Sequence, residues 1–295
     1  IEGFKLDYGE DVVPDIIGAR NVFSFRNGED ERTMHHSYTL AYHQTYAELM
    51  PEDGGFLLCR AGRWGDQKHG CVIWPGDLDA RDWDHGERVS EGGEELVAVG
   101  GLPASVVAAL SLGPSGFPLY GADTGGYRHS PPSPELFRRW FEQTALSTVM
   151  QIGTSSNDVA WEFGDKELLD SYRFYTRLHL RLFPYLWSHA RALPATGRAI
   201  MRPFGLAEPE HEQHPSDQYF LGDDLLVAPV LKEGLTERDV FFGSGEWVGF
   251  FDGARVVGPG LGRVAAPLGT LPLFQRAGSL LPLLRPTIDT LSPVA

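Results

Sequence analysis

Ile1-Glu2-Gly3-Phe4-Lys5-Leu6-Asp7-Tyr8-Gly9-Glu10 opens the chain. Apolar Ile1, Phe4 and Leu6 predict a short buried strand, and the strand delivers a carboxylate, Asp7, at its end. A polar run, Gly9 to Asp11, follows at once. In a parallel α/β barrel the catalytic groups stand at the carboxyl ends of the strands, because the βα loops there form the mouth. Asp7 is therefore the first candidate for chemistry. Lys5, two residues back, falls on the same side of the strand. An ammonium beside a carboxylate favours the ionised form that a nucleophile needs. Taken alone, Asp7 also reads as a strand-end residue that caps the next loop.

Outward from this stretch the pattern repeats. Residues 15–36 are polar with glycine and scattered aromatics and predict a loop; residues 37–50 predict an amphipathic helix stopped by Pro51. Gly55-Phe56-Leu57-Leu58-Cys59-Arg60 and Gly70-Cys71-Val72-Ile73-Trp74 read as two further buried strands, followed by Arg60 and Asp77. Residues 102–112 predict a helix, and Phe117-Pro118-Leu119-Tyr120 a strand closed by Asp123. Ser133 before Pro134 marks a helix start. Residues 148–152 predict a fifth strand and 166–192 one long helix with an aromatic core face. Strand followed by helix, over and over, is the sign of a parallel sheet or barrel. Past Pro203 only short strand-like runs punctuated by Gly and Pro remain, which predicts an all-β domain of sandwich type. The expected organisation is a partial (β/α)8 barrel over 1–203 and a β-sandwich over 204–295.

Composition bounds the function. Aromatic residues are 12% and charged residues 22%, which suits a globular enzyme and excludes disorder as the main state. A formal net charge of −15 and a pI of about 5.0 argue against nucleic acid or an anionic membrane as partner. No apolar run approaches the roughly 20 residues needed to span a bilayer. Cys59 and Cys71 form no disulfide framework and lack metal-site spacing, so they read as small buried apolar residues. The acidic segment 79–95 reads as a solvated insertion loop whose spacing fits no cation-ligand motif, and His211 and His214, three apart, read as a solvated loop with a metal pair as the alternative. With no initiator Met and a start inside a buried strand, the chain reads as the C-terminal part of a larger protein. Its compartment is left open.

Three carboxylates thus close predicted parallel strands: Asp7, Asp77 and Asp123. Two carboxylates at one site are what glycoside hydrolysis requires, one attacking the anomeric carbon and one protonating the leaving oxygen. Asp77, beside Trp74 and without a neighbouring cation in sequence, suits the protonated partner. Arg60 and Asp123 are candidates for holding sugar hydroxyls, and Trp74 for an apolar wall against the sugar ring.

Phe4-Lys5-Leu6-Asp7-Tyr8-Gly9-Glu10 closely resembles the nucleophile motif of glycoside hydrolase family 31, whose form in bacterial α-xylosidases is Phe-Lys-x-Asp-Phe-Gly-Glu. Other marks follow in the family's order. Arg60-Ala61-Gly62 with Gly65-Asp66-Gln67 resembles its Arg-Ser-x-x-x-Gly segment, and Trp74-Pro75-Gly76-Asp77 its Trp-x-Gly-Asp acid/base motif. Tyr120-Gly121-Ala122-Asp123-Thr124-Gly125-Gly126-Tyr127 resembles its Gly-x-Asp-Ile-Gly-Gly-Phe motif, and Arg139-Trp140 its Arg-Trp helix. The segments 221–229 and 272–278 resemble those after the barrel. The resemblance implies a retaining α-glycosidase without a cofactor or metal, acting on an oligosaccharide or α-glycoside. It implies Asp7 as nucleophile, Asp77 as acid/base, Lys5, Arg60, Trp74 and Asp123 at the subsite of the cleaved sugar, and Glu10 orienting. It also implies that the five strands are the fourth to eighth of the barrel, so that the missing N-terminal half of the enzyme is expected to be needed for activity.

One departure stands out. Most of the family has Arg-x-His after the fifth strand, and here Gly153 stands where the His would be. Thr154, Ser155, Asn157 and Trp161 are the candidates to take over its hydroxyl contacts. The rival reading is a carbohydrate-binding relative without turnover; a metal-dependent barrel hydrolase lacks the His-rich strand ends it would need.

Overall fold

The computed structural model describes residues 2–10, 12, 25–52, 54–81, 83, 88–91, 94–97, 100–154 and 159–292, with 88–91 and 94–97 described by backbone alone. Ile1, Asp11, Asp82, Asp84, Glu87, Ser155 and Asn157 lie outside these residues, and with them part of the predicted 15–36 loop. Two compact units are present, Ile1–Trp74 and Pro75–Ala295.

In the first unit, β1 (Gly3–Leu6), α1 (Glu31–Ala47), β2 (Phe56–Cys59) and β3 (Val72–Ile73) follow in order, with a 3-10 turn at Asp66–His69. β1 pairs parallel with β2 (Leu6 opposite Cys59), and β2 pairs parallel with β3 (Cys59 opposite Ile73). Parallel neighbours need a crossover, and α1 supplies the first one. Its start corrects the sequence reading by six residues. The Asp30 carboxylate accepts from the Thr33 amide at 3.0 Å and so satisfies an end group of the helix. The polar first turns, Glu31 to His36, carry no apolar period and so read as loop, yet they are helical. Thr39, Tyr42, His43 and Tyr46 form the inward stripe; Tyr46 meets Phe4 of β1 edge-on at 5.0 Å.

The second unit contains β4 (Arg88–Glu91) and β5 (Glu94–Val97), α2 (Leu102–Leu112), β6 (Leu119–Tyr120), α3 (Pro134–Thr144), α4 (Lys166–Arg181), α5 (Phe183–Thr196), β7 (Met201–Arg202), α6 (Phe204–Ala207), β8 (Tyr219–Leu221), β9 (Leu225–Val227), β10 (Glu237–Gly249), β11 (Arg255–Ala265) and β12 (Leu273–Arg276). α2 has the bounds expected, and Ser133 caps α3 by accepting from the Leu136 amide at 3.1 Å. Four expectations are corrected. The helix expected over 166–192 is two helices, α4 and α5, because Pro184 has no N–H to continue the ladder past Leu182. The fifth strand is reduced to a parallel bridge between Asp123 and Gln151: the Thr148 hydroxyl accepts from the Tyr120 amide at 2.7 Å and donates to the Tyr120 carbonyl at 2.9 Å, taking the place of a ladder. Part of the acidic segment is the antiparallel hairpin β4–β5, and its first acid, Asp79, is 2% exposed and bound to His129 at 2.7 Å. A single helical turn, α6, follows Pro203 in the region expected to be all β.

The last strands form a six-stranded antiparallel sheet in the order β11-β10-β12-β9-β8-β7, the β domain expected after the barrel portion. Strands β8 and β9 are apolar and buried at every position because both faces are covered. Tyr219, Leu221, Leu225 and Val227 join the core of Phe141, Tyr175 and Tyr185 on the helical side. Phe220, Leu226 and Phe274 pack on the other side with Phe204, Val240, Phe242 and Trp247.

Arg139 of α3 docks this sheet. It is 1% exposed and donates to the carbonyls of Leu235 at 2.9 Å, Ala266 at 2.8 Å and Pro267 at 3.3 Å, while meeting Glu142 at 3.2 Å. Glu142 in turn accepts from the Gly269 amide at 2.8 Å. Burial pushes the Glu142 carboxyl up to about 7 from an ordinary 4.5, with Arg139 pulling the other way. The folded chain therefore holds this proton more tightly than the unfolded one. Its stabilising effect is complete below about pH 4.5 and is lost as pH rises through about 7, a change of about 3 kcal/mol. Urea melts across that window are expected to show this loss in the wild type and a flatter profile in Glu142→Gln; parallel profiles would refute the assignment.

Candidate active site

At the end of β1 the backbone turns through two left-handed residues, Tyr8 (φ 60°) and Gly9 (φ 96°). For Tyr8 that conformation is strained, and two contacts hold the turn. The Tyr8 amide donates to Asp7 Oδ1 at 2.8 Å, and the Arg60 guanidinium lies 4.2 Å from the Tyr8 ring centroid. A side chain at position 9 would press on Tyr42, whose ring is 3.0 Å from where a Cβ would stand. The turn brings two carboxylates to one cation: Arg60 Nη1 meets Asp7 Oδ1 at 2.8 Å, and Nη2 meets Glu10 Oε1 at 2.5 Å. Asp7 is 51% exposed and so open to a ligand, while Arg60 is 17% exposed.

Sequence reasoning set Lys5 beside Asp7 and Arg60 on sugar hydroxyls. In the structure Arg60 is a direct cationic partner of Asp7, and Lys5 Nζ lies 4.5 Å from the Trp74 ring centroid. Trp74 is 1% exposed, so the open apolar wall expected of it is a buried ring carrying an ammonium. Thr39 and Tyr42 were missed. The Thr39 hydroxyl donates to the Gly9 carbonyl at 2.6 Å, and the Tyr42 hydroxyl to the Asp7 carbonyl at 3.1 Å. Burial pushes the Tyr42 phenol above its ordinary range, so it stays a donor. The signal was the helical spacing of 39, 42 and 46, obscured because one member is a threonine.

In the second unit Asp77 follows Gly76 and is half-buried; among the described residues its carboxylate has no hydrogen-bonded or ion-paired partner. Asp123 is 1% exposed at the turn after β6. The Gly126 amide returns to its carbonyl at 3.0 Å, and the Thr124 amide reaches the Gln151 carbonyl at 3.2 Å. Gly153 stands directly against this carboxylate. A Cβ at 153 would be 2.1 Å from Asp123 Oδ1 and 2.7 Å from its Cγ, so any side chain there displaces Asp123. Of the substitutes, Thr154 is half-buried and Trp161 is 60% exposed. His211, read as solvated, is 13% exposed and tied to Glu208 at 2.9 Å and to the Ser244 hydroxyl at 3.0 Å; Arg276 holds the other oxygen of Glu208 at 3.0 Å. That cluster is a closed ion-pair network.

Comparison with known proteins adds to this geometry. The glycosyl hydrolases family 31 TIM-barrel domain matches residues 1–189, and the glycosyl hydrolase family 31 C-terminal domain matches 197–281. The isomaltosyltransferase of Sporosarcina globispora is 29% identical over 96% of this chain and 25% of its own length. The α-xylosidase of Saccharolobus solfataricus is 30% identical over 79% of this chain and 30% of its own. The cycloalternan-forming enzyme of Listeria monocytogenes, solved with a pentasaccharide substrate, superposes with a TM-score of 0.81 at 28% identity, over 96% of this chain and 26% of that one. The chain thus spans a quarter to a third of the length of these proteins.

Proposed function

Because the chain belongs to glycosyl hydrolase family 31, we propose that it carries the two catalytic carboxylates of a retaining α-glycosidase. Asp7 is the nucleophile: its carboxylate oxygen bonds to the anomeric carbon as the glycosidic C–O bond breaks. Asp77, protonated at that moment, gives its proton to the leaving oxygen. In the second half Asp77, now a carboxylate, takes a proton from the acceptor, whose oxygen displaces Asp7 from the sugar. The acceptor is water or a sugar hydroxyl; the relatives above include one named as a transferase and one as a xylosidase. In this reading 1–203 is the barrel portion and 204–295 the β domain.

The observation that carries the reading is the exposed Asp7 carboxylate at the end of a parallel strand, held by Arg60 at 2.8 Å with Glu10 on the same guanidinium. A fixed guanidinium keeps one carboxylate oxygen aimed and leaves the other for carbon, which is what positioning contributes to such a step. Arg60 and Glu10 then orient the nucleophile. In this reading Lys5 and Asp123 serve to bind hydroxyls of the sugar. An α-linked oligosaccharide or aryl α-glycoside is the substrate class.

The test is covalent trapping with 5-fluoro-α-glycosyl fluorides of glucose, xylose and galactose, read by intact mass and peptide mapping. With the expected N-terminal half of the enzyme supplied, an adduct on the peptide containing Asp7 is expected, and the fastest-labelling sugar names the preferred substrate. Reversible sugar binding with no adduct from any of the three would instead support a carbohydrate-binding protein.

A further inference from the structure

Sequence spacing gives Cys59 and Cys71 no metal motif, yet the fold brings them to one histidine. Cys59 ends β2, Cys71 precedes β3, and His43 lies on the inward stripe of α1. One donor atom from each lies within 4.8 Å of the others, and all three residues are buried. Both cysteines are free thiols. Beside them stands Asp66, 0% exposed, its Oδ2 3.0 Å from His43 Nδ1. That approach is close enough for a pair but is not aligned as a hydrogen bond: among the described residues, both ring nitrogens of His43, and Asp66 Oδ1, are buried without one.

Two ring nitrogens and a carboxylate oxygen that are buried and unmet among the described residues are costly. An apolar role for the two thiols does nothing to relieve them, and neither does a disulfide. We propose that His43, Cys59 and Cys71 bind a thiophilic divalent metal ion of the zinc class, with Asp66 turning and fixing the imidazole. One nitrogen and two sulfurs are a zinc donor set. Tetrahedral zinc needs donors about 3.8 Å apart for Zn–S bonds of about 2.3 Å, so the three draw in by about 1 Å at most. Binding releases the two thiol protons to solvent, and the resulting thiolates neutralise the ion. One ring nitrogen binds the metal, and the other donates its N–H to the Asp66 carboxylate, the usual outer partner of a metal-bound histidine. The ion would clamp α1, β2 and the segment 66–73 together. Cys59 is the chain neighbour of Arg60, whose guanidinium holds Asp7 and Glu10.

The test uses the full chain, reduced, stripped with chelator and equilibrated with Co2+. Because the chain has only two cysteines, thiolate-to-cobalt charge-transfer bands can come from no other site. The expected result is those bands together with tetrahedral d–d bands, saturating at one ion per chain and bleached by Zn2+. Cys59→Ser/Cys71→Ser should lose the bands, and Asp66→Asn should weaken metal affinity about 10- to 100-fold without removing them. Reduced wild-type chain that gives no charge-transfer bands overturns the proposal, whether it was recovered with free thiols or as a Cys59–Cys71 disulfide. The wild-type spectrum decides the matter even if the double variant fails to fold.

Discussion

Asp7→Asn is expected to lower turnover on every α-glycoside tested by on the order of 10⁴-fold or more, since no group remains to form the glycosyl-enzyme bond. The local fold should survive. Asparagine keeps an acceptor oxygen for the Tyr8 amide and for Arg60, and Arg60 retains Glu10 as its charged partner. Loss of turnover with an unchanged circular dichroism spectrum and an unchanged affinity for unreactive sugar is the signature of a removed nucleophile. Activity within tenfold of wild type would exclude Asp7 from that role.

Asp77→Asn is expected to divide substrates by leaving group. Protonation of the departing oxygen contributes roughly 10²- to 10⁴-fold, and only a poor leaving group needs it. Oligosaccharides and alkyl glycosides should lose activity on that scale. Aryl glycosides with acidic phenols should lose less than about tenfold in the glycosylation step, kcat/KM. Among the described residues no fixed cation pairs with Asp77, so the asparagine leaves no buried charge stranded, and a loss of activity can be read as chemistry. Equal losses on both substrate types would remove Asp77 from the acid role.

Arg139 shows how a motif can be legible without its physics. The Arg-Trp pair resembled a family mark, but nothing local announced that the guanidinium serves carbonyls at 235, 266 and 267, about a hundred residues further along. The same holds for Arg60. Its place after a strand was readable; that it would bridge Asp7 and Glu10 depended on the left-handed turn at Tyr8 and Gly9. Where the reading of secondary structure failed, side chains had replaced backbone signals. The Asp30 cap begins a helix with no apolar period, and the Thr148 hydroxyl displaces a strand.

The sequence by itself determined the alternation of short apolar runs with helices, the helix over 102–112, the Ser133 cap, the change to an antiparallel β domain, and the strand-end position of Asp7. All are written in neighbours a few residues apart, where period and capping act. Only the tertiary structure decided that Trp74 is buried beneath Lys5, that Asp123 fills the space beside Gly153, and that His43, Cys59, Cys71 and Asp66 meet. These depend on which distant residues share one small volume, and close packing, which no local period encodes, settles that.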